Sequence, residues 1–152
     1  SRTGVWNSVH QSLNNLKTEV IDILLIHAND NELEIINNSD AVETLTDIKK
    51  KGLARNIGMS TKSPDGILAA LEFSDIIMAT LNLEDSSNLD AIKQAHKKGC
   101  GVLLKKIFAS GKCQIKKSLE FVFKHELAHS AVIGTINKGH LAENVNLVSK
   151  LF

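Results

Sequence analysis

The stretch Thr18-Glu19-Val20-Ile21-Asp22-Ile23-Leu24-Leu25-Ile26-His27 decides how the rest of the chain is read. From Val20 to Ile26 a single aspartate interrupts a run of branched aliphatics, too continuous for a strand with one wet face and far too short for a membrane helix. It reads as a parallel strand covered on both sides. Upstream, Val5, Val9, Leu13 and Leu16 recur at helical spacing, so the unit is a helix, a polar stop and a buried strand.

The unit repeats downstream. Asp40 and Glu43 have the spacing of a capping box for a helix carrying Val42, Leu45 and Ile48. That helix runs out in Lys49-Lys50-Lys51-Gly52, where cations suit the negative helix end and glycine a left-handed stop. Ala54 to Met59 is the next strand. Ser63-Pro64 starts a helix with Ile67, Leu68 and Leu71, followed by the strand Ile76 to Thr80. Leu89, Ile92 and Ala95 lead to a second Lys-Lys-Gly stop at Lys97-Lys98-Gly99, then to the strand Gly101 to Lys105. A helix through Leu119, Val122 and Phe123, a strand from Ser130 to Ile133, and a helix with Leu141, Val145 and Val148 complete the pattern. No linker-like composition divides the chain, so residues 1–152 are expected to form a single α/β domain of about five parallel strands alternating with helices. Part of a closed (β/α) barrel and an open flavodoxin-like sheet both fit that alternation.

Composition narrows the function. A net charge of +1 creates no field for nucleic acid or an anionic membrane. With no tyrosine, one tryptophan and five phenylalanines there is no base-stacking platform. No apolar run approaches membrane-span length, and the N-terminal residues do not read as a signal peptide. Cys100 and Cys113 match no metal or redox spacing, so no metal is expected, and unpaired thiols point to the reducing cytoplasm.

Polar residues gather at the strand ends: His27, Ser60-Thr61, Asn82, Lys105-Lys106 and Gly134-Thr135. The carboxyl ends of parallel strands are where both architectures build their sites. Gly134-Thr135-Ile136-Asn137-Lys138 enters a helix, where glycine admits a close ligand and first-turn amides attract an anion.

Three segments, in order and suitably spaced, carry a resemblance. Ser12-Leu13 through Asp22-Ile23-Leu24-Leu25-Ile26-His27 resembles the aldo-keto reductase segment that ends in the active-site histidine. Ala41-Val42-Glu43-Thr44-Leu45, Lys51-Gly52 and Ile57-Gly58-Met59-Ser60 are similar to the helix and strand that follow it. Ile133-Gly134-Thr135-Ile136-Asn137-Lys138-Gly139-His140-Leu141-Ala142-Glu143-Asn144 is similar to that family's C-terminal cofactor motif.

The resemblance implies a partial (β/α)8 TIM barrel and NAD(P)H-dependent reduction of small aldehydes or ketones. It makes His27 the catalytic histidine. Ser60 and Thr61 would hold the nicotinamide carboxamide, and Lys105 and Lys106 would meet nicotinamide or pyrophosphate. Gly134, Thr135 and Asn137 would lie along the adenosine phosphate, with His140 by the 2′-phosphate and Glu143 and Asn144 at adenine. NADP(H) is expected ahead of NAD(H), although neutral histidine at position 140 weakens a contact that arginine often makes. Met78 stands where a glutamine often holds the carboxamide, and a thioether cannot replace its hydrogen bonds. The family's Asp, Tyr and Lys belong to three earlier strand-helix units that have no counterpart in this sequence, so these residues alone are expected to be inactive. The alternative is a non-catalytic nucleotide-binding or partner-binding barrel remnant. Exposed sheet edges would favour self-association.

Overall fold

Helix α1 (Arg2–Leu16) leads into strand β1 (Ile21–His27) in the computed structural model, which describes residues 1–124 and 128–151. There follow α2 (Glu32–Asn38), α3 (Ala41–Lys50), β2 (Ala54–Ser60), α4 (Pro64–Ala70), β3 (Ile76–Thr80), α5 (Leu89–Lys97) and β4 (Gly101–Lys105). A 3-10 turn at Ala109–Gly111, α6 (Ile115–Lys124), β5 (Ser130–Ala131) and α7 (Lys138–Val148) come last. The strands pair in parallel in chain order, β1-β2-β3-β4-β5, as in part of a (β/α)8 barrel. The open flavodoxin-like order, which reverses direction within the sheet, is thereby excluded.

The two faces of the sheet differ. In β3 and β4 burial alternates: Ile77, Ala79, Val102 and Leu104 are fully buried, while their neighbours are half-buried. The buried set, with Met59, packs on Ile67, Ala70, Ile92 and Ala95 of the covering helices. A second cluster joins Ile57 to Val9, Leu13, Leu45 and Ile48 under α1 and α3. Register places His27, Ser60, Met78, Leu103 and Ser130 in one row on the opposite, concave face. The central residues of β1 are half-buried or exposed, so the expectation of burial on both sides does not hold for that strand: only its outer face meets helices.

Local signals account for most boundaries. Gly52 and Gly99 follow the Lys-Lys stops at φ 76° and 74°, the left-handed region where glycine carries no Cβ penalty. Ser63 caps α4 by accepting the amide of Gly66 at 3.0 Å, with Pro64 at the first helical position. The capping box at Asp40 does not form. Asp40 accepts the amide of Arg2 instead, while the Arg2 guanidinium pairs with Glu43 and Asp47, so α1 rather than the cap claims these carboxylates. Helix α2 was not expected. Strand β5 is shorter than its aliphatic run: the last ladder bond is from the amide of Val132 to the carbonyl of Leu104, at 2.7 Å, and Val132 then turns outward.

At the amino ends of the strands Asp75 ties three elements together. Its carboxylate accepts from Lys49 Nζ at 2.6 and 2.7 Å and from the amide of Ile57 at 2.9 Å. Its backbone amide donates to Ile57, and its carbonyl accepts from Gly101 at 2.8 Å. Burial acts to raise this carboxyl, but the Lys49 ammonium and the Ile57 amide outweigh it and hold it below the usual range.

Candidate functional site

The concave row ends in polar groups because β1, β2 and β4 each place a side chain from their last residue on that face. His27, the last residue of β1, is exposed and lies in register with Ser60, the last residue of β2. Lys105, the last residue of β4, is half-buried and in register with Thr80. Its Nζ donates to Ser60 Oγ at 2.9 Å, reaching back across β3. β2 and β4 thus converge on Ser60. Burial draws the Lys105 ammonium below its ordinary pKa; Lys106 and Lys62 reinforce this, and Glu32 opposes it.

Thr61 follows Ser60 but is fully buried. Its amide donates to the carbonyl of Met78 at 2.8 Å and its hydroxyl to the same oxygen at 3.3 Å, so it fixes the turn that presents Ser60. Asn82 is also buried, with its amide group donating to the carbonyl of Lys106 at 3.1 Å and its oxygen accepting the amides of Glu84 and Asp85. It holds the loop after β3 to the loop after β4.

Beyond Lys105 the chain forms the wall of a cleft of about 440 Å³, lined by Lys106, Ile107, Phe108 and Gly111 on one side and by Val132 and Gly134 on the other. That volume lies within the range of small-molecule sites. Lys106, Ala109 and Ser110 adopt left-handed φ of 55°, 47° and 59°, and Gly111 follows at 89°. Such strain in non-glycine residues costs about 1–2 kcal/mol each; it gathers where a loop is shaped for a ligand. At Gly134 a Cβ would meet nothing within 4 Å, so this edge of the cleft is open to a ligand. One cation, two glycines and an apolar wall suit a phosphate joined to a planar ring.

The remaining residues sit further out. Thr135 Oγ accepts the amide of Asn137 at 3.1 Å, and Asn137 caps α7 by accepting the amides of Gly139 and His140 at 2.8 and 3.4 Å. Two first-turn amides expected to face an anion are therefore already engaged. His140 and Glu143 are exposed, whereas Asn144 is buried beside Leu119, Phe123 and Val148 between α6 and α7. The structure joins Ser60 and Lys105 by a hydrogen bond, sets His27 in register beside Ser60, and places Lys106 and Gly134 on one cleft, which Asn144 does not line.

Glu32 escaped the sequence reading. It is 6% exposed and accepts from the amides of Lys62 and Ser63 and from the hydroxyl of Ser63, binding the loop after β1 to the loop after β2. Lys62 Nζ adds a second tie to Asp30 at 2.7 Å. Nothing in the local sequence marks a glutamate that acts on a turn so distant along the chain.

Among the described residues no helix is long and apolar enough to cross a membrane, and no group of His, Cys, Asp or Glu is placed to hold a metal ion. The model of the Aldo/keto reductase family matches residues 1–120, stopping short of the Gly134–Asn144 segment. A solved structure from Pseudomonas aeruginosa, named as an aldo-keto reductase, is 37% identical with a TM-score of 0.93, covering 99% of this chain and 59% of its own. The holo form of an aldo-keto reductase from Bacillus halodurans is 18% identical with a TM-score of 0.83, covering 97% of this chain and 62% of its own. The glycerol dehydrogenase of Gluconobacter oxydans, at 14% identity and a TM-score of 0.69, covers 98% of this chain and 64% of its own. The last two show likeness of fold alone. No curated protein matches the chain. The chain spans less than two thirds of the length of each of these structures. With the family pattern running through both the His27 and Ser60 segments, and the fold reproduced strand for strand, this chain belongs to the aldo/keto reductase family.

Proposed function

We propose that the chain forms one domain, residues 1–152, and carries the histidine-bearing, cofactor-facing part of a nicotinamide-dependent carbonyl reductase. What supports this reading is the strand-end register of His27 with Ser60 and the bond from Lys105 to Ser60, beside a cleft with Lys106 and Gly134 on its walls. His27 is exposed at the strand end, so an imidazole N–H can donate to a carbonyl oxygen as negative charge grows there. Ser60 accepts from Lys105, which leaves its own hydroxyl proton for an amide oxygen of the cofactor. Thr61 holds that serine in place. Lys106 and Gly134 would receive the pyrophosphate, and Thr135, Asn137 and Glu143 would border the adenosine. When bound, the reduced nicotinamide supplies the hydride. Lys138 supplies a positive charge at the exposed start of α7, which favours the 2′-phosphate and hence NADP(H) ahead of NAD(H).

Fluorescence titration tests this directly. NADPH should bind saturably and more tightly than NADH, and Lys106→Ala should weaken it about tenfold, the loss of one charge-assisted contact. Absence of saturable binding by either nucleotide sinks the reading.

The 152 residues contain no tyrosine, and so lack the family's proton donor. By themselves they should bind nucleotide without reducing aldehydes; turnover of a generic aldehyde, lost on His27→Ala, would overturn this. A second reading, a partner-binding module, draws on the half-buried or exposed Ile23, Leu25, Ile76, Met78 and Leu103 of the concave face. Self-association through the outer edge of β1 belongs to it and would appear as concentration-dependent sedimentation. The free thiols Cys100 and Cys113 fit a cytoplasmic location.

A further inference from the structure

We propose that Asn82 is a positioning residue for the nucleotide cleft: by holding the backbone carbonyl of Lys106, it keeps that residue left-handed and on the cleft wall. The role rests on the reading of Lys106 as a pyrophosphate contact. Alternation along β4 would send residue 106 to the same side as Leu104, which is fully buried against the helices. Lys106 escapes that layer because β4 ends at Lys105 and φ turns to 55° at the next residue. It then lines the cleft with Gly134. A residue with a Cβ does not choose left-handed backbone by itself, so the surroundings must impose it.

Two donors impose it. The Lys106 carbonyl accepts Asn82 Nδ2 at 3.1 Å and the amide of Ala109 at 2.8 Å, which occupies both of its lone pairs and fixes the peptide plane between Lys106 and Ile107. Ile107, buried in the core, holds the far side of that plane. Ala109 belongs to the same loop and is itself left-handed at φ 47°, so it cannot serve as the anchor. Asn82 can, because it is fixed elsewhere. It is buried, its Oδ1 accepts the amides of Glu84 and Asp85 at 3.0 and 2.9 Å, and its own amide donates to the Asp85 carbonyl at 3.0 Å. A tight turn after β3 thus sets the backbone of the loop after β4. Asn82 does not line the cleft, so it acts on a bound nucleotide through Lys106.

Asn82→Asp keeps an acceptor for Glu84 and Asp85 and removes the donor to Lys106. In the 152-residue chain, NMR couplings and carbon shifts of Lys106 should show its backbone leaving the left-handed region. NADPH, titrated by fluorescence, should bind about tenfold more weakly, as in Lys106→Ala. In a Lys106→Ala background the same change should weaken NADPH by less than about twofold, because the two residues act as one. The uncharged Asn82→Ala should give the same pattern. A general disturbance of the fold would instead lower affinity by an equal factor in both backgrounds, and that result overturns the proposal. So does a Lys106 that stays left-handed in folded Asn82→Asp. If neither variant folds, the wild-type chain decides: a coupling across the hydrogen bond from Asn82 Nδ2 to the Lys106 carbonyl supports the assignment, and its absence overturns it. If wild type binds no NADPH, the nucleotide reading fails, while loss of the left-handed Lys106 backbone in Asn82→Asp still supports the positioning role.

Discussion

The carboxylate of Glu32 on α2 accepts the backbone amide of Ser63 at 3.0 Å and the hydroxyl of the same residue, placing a buried anion at the start of α4. Glu32→Ala leaves the amides of Lys62 and Ser63 without this partner in a buried setting. It should lower stability by about 1–3 kcal/mol, with Glu32→Gln in between. A Cβ on Gly66 would fall on the same carboxylate, so Gly66→Ala should resemble Glu32→Ala. Urea midpoints of the three variants check this; an unchanged midpoint for Glu32→Ala would remove the clamp from the account.

Two glycines should behave oppositely. A Cβ on Gly58 would collide with the backbone carbonyl of Ile76 on the adjoining strand, which cannot swing away. Gly58→Ala should therefore cost about 3 kcal/mol, the upper end of overpacking penalties. Gly134→Ala meets no atom, so its thermal midpoint should match wild type while nucleotide binding weakens. Calorimetry and fluorescence titration of both proteins separate the effects.

Adjacent leucines report which face of the sheet is the core. Leu104 is fully buried against the helices, whereas Leu103 faces the concave side and is half-buried. Leu104→Ala should cost about 2–5 kcal/mol and Leu103→Ala clearly less. Equal losses in chemical denaturation would contradict the sidedness described above.

The carboxyl of Asp75 titrates below its ordinary value of 3.8. The native state therefore binds fewer protons than the unfolded chain in that range, and stability rises with pH there. The contribution is complete above about pH 3.8 and is lost as pH falls through the lower native value. Asp75→Asn should flatten the stability profile on the acid side, measured by urea unfolding between pH 2 and 6. An unaltered acid limb would show that the Lys49 pair does not respond to protonation.

What could be read from sequence was what neighbouring residues decide. Pro64 behind Ser63, and Gly52 and Gly99 behind their lysines, set helix ends through forces that act within a turn, and these positions appear as expected. Asp40 and Glu43 show the limit: their spacing is right for a cap, yet Arg2, brought beside them by packing of α1 on α3, offers a stronger partner. The strand-end residues were identified from the sequence, but not their division of labour. Lys105 and Lys106 are adjacent letters that face different spaces, because the strand ends at Lys105 and the backbone turns left-handed at Lys106. Glu32 and Asp75 were invisible because each works by reaching a backbone group on another element.

The strand order carries a consequence for how the protein is made. Each described strand from β2 to β5 pairs with the one synthesised just before it. Each pair closes one crossover, the shortest separation a parallel sheet allows. A nascent chain can thus lay the sheet down in the order of translation, each newly released helix covering the strands already in place. Slow codons or pauses between strand-helix units would then leave a growing, partly covered sheet rather than an entangled one.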